Sequence, residues 1–204
     1  IEEVPARPGK TAVELFEAVR QGDIKILWIA CTNPAQSLPD QNLVREALEK
    51  AELVIVQEAY HTTATAAYAD VLLPATSWGE KEGTVTNSER RITRVNPVLG
   101  KPGETRHDWE IVVDFAKRLE RLLGKTQTLF PYTSAEEIWN EHRETTRGRD
   151  LDITGLSYDI LQQAPQQWPY PQGAVAGKKR LYEDGIFPTA TGRAKFVNTI
   201  YQPV

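Results

Sequence analysis

Two short runs of almost continuous apolar residues bracket a helix-spaced pattern in the first third of the chain. Asp23–Ala30, DIKILWIA, is apolar nearly throughout from Ile24, and Leu53–Gln57 reads LVIVQ. Runs of this length without alternation suit strands covered on both faces, as in a parallel sheet. Between them Leu43, Val44, Ala47, Leu48 and Ala51 recur at helical spacing behind Asp40, a residue suited to cap the helix. The span from Ile24 to Gln57 therefore predicts a βαβ unit. Ahead of it, Thr11-Ala-Val-Glu14 is a capping box, with Gly22 as the stop signal, which predicts a helix over Thr11–Gln21. Val71-Leu-Leu73 predicts a third strand, ended by Pro74. The fold class these elements imply is α/β, a parallel sheet flanked by helices.

The pattern changes after Pro74. Thr76–Gly103 is rich in Gly, Thr, Asn and charge, shows little helical period, and is expected to be irregular; long stretches of that kind inside a domain are usually functional or disordered. Thr105 is expected to cap a helix through Leu123, with Trp109, Val112, Ala116, Leu119 and Leu123 on one side. Ser134-Ala-Glu-Glu137 is a second capping box, opening a polar helix to about Thr146. From Gly148 periodicity is lost. Clusters such as Trp168-Pro-Tyr-Pro171 make residues 164–204 read as an extended connector that follows an α/β domain spanning 1–163.

Composition narrows the function classes. The chain has 204 residues, 25% of them charged, and a net charge of -4. It lacks the basic surplus of a nucleic-acid or anionic-membrane binder. Its longest apolar runs are strand-sized, too short to span a bilayer, and IEEVPARPGK lacks the layout of a signal peptide. Cys31 is the single cysteine, so no internal disulfide can form, and a cysteine-held iron–sulfur cluster would need four thiolates. At the end of an apolar strand Cys31 is expected to be a small buried residue. Absence of disulfides suits a reducing compartment.

Familiar catalytic signatures are absent. Gly9-Lys-Thr11 resembles the end of a phosphate loop, but the first glycine of that motif falls on Val4. His61, His107 and His142 lack ligand spacing. What remains is a set of polar residues at predicted strand ends, the edge where open α/β sheets bind ligands. The first strand delivers Asn33, and the second delivers Gln57 and Glu58. The alternative is that Asn33-Pro34 is a turn and Glu58 a solvated carboxylate. Trp78–Arg91, WGEKEGTVTNSERR, packs acids, bases and hydroxyls around two glycines. Lys81 there can meet a phosphate as a point charge; equally, the segment can be a solvated hairpin of mixed charge. Asp108 can serve the helix start behind Thr105, or accept paired hydrogen bonds from a guanine N1–H and N2–H₂ edge.

Four motifs occur in order: Cys31-Thr-Asn-Pro-Ala-Gln-Ser-Leu-Pro-Asp40, Val54-Ile-Val-Gln-Glu-Ala-Tyr60, Tyr68-Ala-Asp-Val-Leu-Leu-Pro-Ala75 and the stretch Trp78–Arg91. Together they resemble the molybdopterin oxidoreductases that carry two pterin guanine dinucleotides. Asn140–Asp150 and Leu181–Gly185 resemble the bacterial assimilatory nitrate reductases within that family. The resemblance implies a Rossmann-like domain that is one part of a longer polypeptide and holds one guanine dinucleotide arm of molybdenum bis(molybdopterin guanine dinucleotide). It implies cofactor contacts at Asn33, Gln57, Glu58, Lys81 and Asp108, and no metal ligand in this chain; the molybdenum-ligating cysteine of the family lies upstream of Cys31. A 4Fe-4S cluster, an electron-donor protein and the remaining domains belong to the implied parent. The start at Ile1 without an initiator methionine and the end at Tyr201–Val204 fit that expectation of a fragment. The parent would reduce nitrate to nitrite by two electrons in the cytoplasm, without nucleic-acid or membrane partners, and the fragment alone would be inactive. Two alternatives stay open: the same domain of a formate dehydrogenase, and a non-catalytic nucleotide-binding module.

Overall fold

In the computed structural model the described residues are 6–201. Val4 and both chain ends, on which the phosphate-loop and fragment readings drew, lie outside them. By internal contacts the chain divides into two units, residues 1–81 with 96–133, and residues 82–95 with 134–204. These boundaries fall at other positions than 163/164.

The first unit is built on a parallel sheet of three strands in the order β1-β2-β3: Ile26–Ala30, Leu53–Glu58 and Val71–Pro74. Helix α1, Ala12–Gln21, starts as its sequence predicts. Thr11 Oγ1 accepts from the Glu14 amide, and Glu14 Oε2 accepts from the Thr11 amide. Gly22, at φ 90°, ends the helix in the left-handed region that glycine enters without steric cost. Helix α3, Gln41–Lys50, is capped by Asp40, whose Oδ1 accepts from Leu43 N–H. Successive strand residues face opposite ways. Leu27, Ile29, Val54 and Val56 therefore share one face, where Phe16 and Val19 of α1 and Val44, Ala47 and Leu48 of α3 bury them. Burying one such aliphatic side chain stabilises the fold by roughly 1.5–3 kcal/mol, which is why both helices settle on this face.

Three local expectations are corrected. Pro34–Ser37 forms a short helix, α2, where the sequence offered a turn at Asn33-Pro34; proline at a first helical position gives up no hydrogen bond. The helix expected from Thr105 is α4, Asp108–Leu122, with His107 at its N-cap. Glu110 Oε2 accepts from the His107 amide, and Thr105 Oγ1 instead donates to the Pro102 carbonyl. The physical reason lies just upstream. Arg106 lies extended beside the end of β3, donating to Pro74 O and accepting from Thr76 N–H, so the backbone cannot turn helical at Thr105. The later start is accompanied by burial of Ile111 and Val113 while Val112, Leu119 and Leu123 stay exposed. Finally, Cys31 is exposed and not a buried core residue. It has left the strand, at φ 59°, at the open carboxyl edge of the sheet.

The second unit carries an antiparallel sheet ordered β4-β5-β6: Gly83–Thr86, Arg91–Val95 and Gln166–Gln167. Part of the stretch expected to be irregular is thus a hairpin. Its turn is held by Asn87, whose Oδ1 accepts from the Glu89 and Arg91 amides, an Asx turn. Helix α5, Ala135–Glu144, begins at Ser134, which accepts from Glu137 N–H. A further helix, α6, Tyr158–Gln163, was not signalled by the apolar pattern. Trp139, Ile92, Leu156, Leu161 and Tyr170 pack into this unit's core. The first residues of the expected connector therefore pair and pack here. Among the described residues no helix is long and apolar enough to cross a membrane.

Candidate functional site

Because β1, β2 and β3 are parallel, their carboxyl ends emerge at one edge of the sheet. Cys31 follows β1, Glu58 ends β2, Ala75–Ser77 follow β3, and the first residue of α4, Asp108, arrives beside them. A cavity of about 200 Å³ opens there, lined by Cys31, Glu58, Tyr60, Trp78, Lys81 and Asp108 among others.

Asp108 is the hub. Its Oδ2 accepts from Lys81 Nζ at 2.6 Å. Its Oδ1 accepts from Gln57 Nε2 at 2.8 Å and from the Cys31 thiol at 3.3 Å. Burial raises the Asp108 pKa, but the hydrogen bonds from Lys81 and Gln57 outweigh it and hold the carboxyl below its ordinary value. Position adds to this, since a carboxylate at a helix N-terminus faces the positive end of the helix dipole. The same carboxylate acts on Cys31 in the opposite direction: burial, then the hydrogen bond to Asp108 and its charge, push the thiol up. The thiol therefore remains protonated as a weak donor at neutral pH, which is not the state of a nucleophile.

Gln57 works from behind. It is 1% exposed, and its Oε1 accepts from Trp28 Nε1 at 3.2 Å while Nε2 reaches Asp108. Glu58 stands at the mouth, one oxygen accepting from the Ala59 and Tyr60 amides. Asn33 is turned to internal use: Oδ1 accepts from the Thr65 amide and hydroxyl, and Nδ2 donates to Gln36. The structure thus brings Gln57, Lys81 and Asp108 into direct contact and Glu58 onto the same cavity. Asn33 instead pins the turn after β1 to the segment after β2. Sequence reasoning did not single out Tyr60 and Trp78, both more than half exposed beside the cavity. Their signal was available: each is an aromatic residue within a few positions of a strand's carboxyl end. Nor did it foresee the Cys31–Asp108 bond, which joins residues 77 positions apart.

Such a site offers one fixed cation, one carboxylate engaged in holding it, a second carboxylate at the mouth, and two aromatic faces. That set suits a ligand with anionic and hydrogen-bonding ends and a flat ring.

Residues 2–118 match the profile of the molybdopterin oxidoreductase family. A nitrate reductase of Synechocystis sp. is 40% identical over 194 residues, which cover 93% of this chain and 26% of that protein. The assimilatory nitrate reductase catalytic subunit of Bacillus subtilis is 42% identical over 186 residues, 91% of this chain and 25% of the relative. The F420-dependent formate dehydrogenase subunit alpha of Methanocaldococcus jannaschii is 37% identical over 182 residues, 89% of this chain and 25% of the relative. Acetylene hydratase from Pelobacter acetylenicus superposes with a TM-score of 0.63 at 18% identity, over 89% of this chain and 23% of that one, a likeness of fold. The chain spans about a quarter of the length of the curated relatives it matches.

Proposed function

The chain belongs to the molybdopterin oxidoreductase family, and on that premise we propose that it is the portion of a nitrate reductase that grips one guanine dinucleotide arm of molybdenum bis(molybdopterin guanine dinucleotide). The observation that carries this reading is the cavity at the sheet's carboxyl edge, where Lys81, Asp108 and Glu58 meet. Nitrate reductases match at 40% and 42% identity and the formate dehydrogenase at 37%, which favours nitrate as the substrate of the parent. The parent would be cytoplasmic, would carry the 4Fe-4S cluster elsewhere, and would take electrons from a donor protein; residues 164–204 would lead toward a further domain.

The residues present fit the cofactor arm. At about 200 Å³ the cavity is smaller than the ~300–1,000 Å³ of sites that enclose a drug-sized ligand. It suits one end of a dinucleotide whose other side another domain covers. Lys81 would meet the pyrophosphate as a point charge. Asp108 would hold that ammonium in place, its own oxygens being taken by Lys81, Gln57 and Cys31. Glu58 is then the acid left to receive a guanine N1–H and N2–H₂ edge or the ribose hydroxyls. Asn33 and Gln57 would act by holding the surrounding backbone and Asp108. When bound, the molybdenum cofactor supplies the two-electron redox chemistry; this chain's residues bind and orient it.

Titration of the 204-residue chain with guanosine and adenosine diphosphates tests the reading. Adenine offers an acceptor where guanine offers N1–H and lacks the amine at C2, so a carboxylate facing it stays unpaired. The expected preference for guanosine diphosphate is on the order of 1–3 kcal/mol, about tenfold to a hundredfold. Glu58→Gln should erase most of the preference, and Asp108→Asn should weaken both nucleotides alike. Equal affinity of the unaltered chain for the two nucleotides would rule out guanine recognition here.

A further inference from the structure

Parallel sheets are ordinarily covered on both faces, because the crossovers between their strands lay helices against them. In the first unit only one face is covered so. Both α1 and α3 lie on the side of Leu27, Ile29, Val54 and Val56. The register puts Ile26 beside Leu53 and the row Trp28, Ile55 and Val71 on the other side. There α4 touches the sheet through the edge-on contact of Phe115 with Trp28 at 4.8 Å between ring centres.

Between α4 and that face runs an apolar groove of about 280 Å³, with Trp28, Ile55, Val71, Leu73, Ile111 and Phe115 in its wall. On the same face of β1, Ile26 is 59% exposed, and Leu122 at the far end of α4 is 85% exposed. The charges at the rim sum to zero, Arg106 and Arg118 against Asp114 and Glu104, and Asp114 accepts from both Arg106, at 3.0 Å, and Arg118, at 3.1 Å. A nucleic acid or a charged peptide finds no surplus charge to meet. The surface asks for an uncharged apolar stripe, about as wide as one helix face.

We infer that this groove is the seat of an amphipathic helix from the part of the parent polypeptide that this chain does not contain. The length relation supports that occupant over a separate protein: about three quarters of each matching relative lies outside the aligned span. A parallel sheet whose second face is only partly covered leaves room for a further element of that layer. The inference extends the cofactor reading and does not depend on it, because the groove lies on the face of the sheet and its test involves no nucleotide.

The test places the photo-crosslinking residue p-benzoylphenylalanine at Val71, and separately at Phe115, in the full-length parent. Irradiation is followed by mass spectrometry of the digested protein. The expected product joins either position to a peptide of the same polypeptide outside these 204 residues, with apolar residues at i, i+3, i+4 and i+7 and a yield independent of protein concentration. The same probe at Glu17, on the outer side of α1, should give no such product. A crosslink to residues 134–201, a concentration-dependent crosslink to a second copy, or none at either position would each overturn the inference. Raising the salt concentration should leave the yield unchanged, since the rim charges balance; a loss would point to an electrostatic partner and count equally against it. The nucleotide titration of the 204-residue chain is a separate experiment, so normal nucleotide binding there with a failed crosslink in the parent refutes only this inference.

Discussion

Gln57→Leu is the change that best isolates how the site is held. The side chain is 1% exposed and close in volume to leucine, so the substitution removes hydrogen bonds without opening a cavity. The hydrogen bonds to Asp108, a long one of 3.4 Å to its carbonyl included, and to Trp28 disappear. Asp108 Oδ1 loses its 2.8 Å donor and keeps on that oxygen only the weak thiol donor of Cys31; a hydrogen bond to a charged group contributes roughly 1.5–3 kcal/mol. Trp28 Nε1 loses its acceptor in a half-buried position, which costs about 1 kcal/mol, the low end for a stranded donor. Replacing the amide by apolar carbon returns about 1 kcal/mol. The net loss is about 1.5–3 kcal/mol.

Urea unfolding followed in parallel by tryptophan fluorescence and circular dichroism reads this directly, provided both probes give the same midpoint. The structure also fixes the direction of coupling. If Gln57 acts through Asp108, the two changes overlap, and Gln57→Leu in an Asp108→Asn background should cost about 1 kcal/mol less than in the parent sequence. A loss below about 0.5 kcal/mol, or additivity within about 0.3 kcal/mol, would refute the claim that Gln57 holds Asp108.

Two further outcomes follow from single features. Asp108 titrates below its ordinary value when folded, so its carboxylate contributes stability that is fully present above the unfolded pKa of about 3.9 and is lost as pH falls through the lower folded one. Asp108→Asn should therefore cost about 1 kcal/mol at pH 7, the pair with Lys81 being about a third exposed, with the difference from the unaltered chain shrinking below about pH 4; a difference that grows with acidity contradicts the assignment. In the second unit, a Cβ at Gly177 would stand 1.9 Å from the Gln167 carbonyl oxygen, so Gly177→Ala should destabilise that unit by about 1–3 kcal/mol, read as faster exchange of the β5–β6 amides.

The elements most legible in the sequence are those whose signals are local. The Thr11 capping box, the Asp40 cap and the two apolar strands formed as the pattern required, because each depends on residues within one turn or one strand of each other. Helix α4 shows where that stops. Thr105 has the right chemistry for a cap, but Arg106 is drawn into contact with Pro74 and Thr76, some 30 positions away, and a long-range backbone bridge overrode a local preference. The hairpin β4–β5 was readable only as an alternative, without its strands, for a related reason. Its strands are four and five residues long and half-exposed, with hydroxyl and arginine side chains where an apolar alternation would be.

The candidate site divides along the same line. That Glu58 would stand at a strand's carboxyl end was readable, because the end of an apolar run marks the edge of a parallel sheet. What each polar residue does there was not, because the answer lies in which partner takes each lone pair. In sequence Asp108 and Glu58 are two acids of equal standing as guanine readers. In the fold the Asp108 oxygens are engaged by an ammonium, an amide and a thiol, brought in from positions 81, 57 and 31. Displacing any of these for a ligand would strand a donor, at a cost comparable to what the ligand's own hydrogen bond returns. Asp108 is thereby engaged in holding Lys81 at the cavity, and on the proposed reading recognition of a ring edge would fall to Glu58, whose engaged oxygen is held only by the two amides that follow it in the chain.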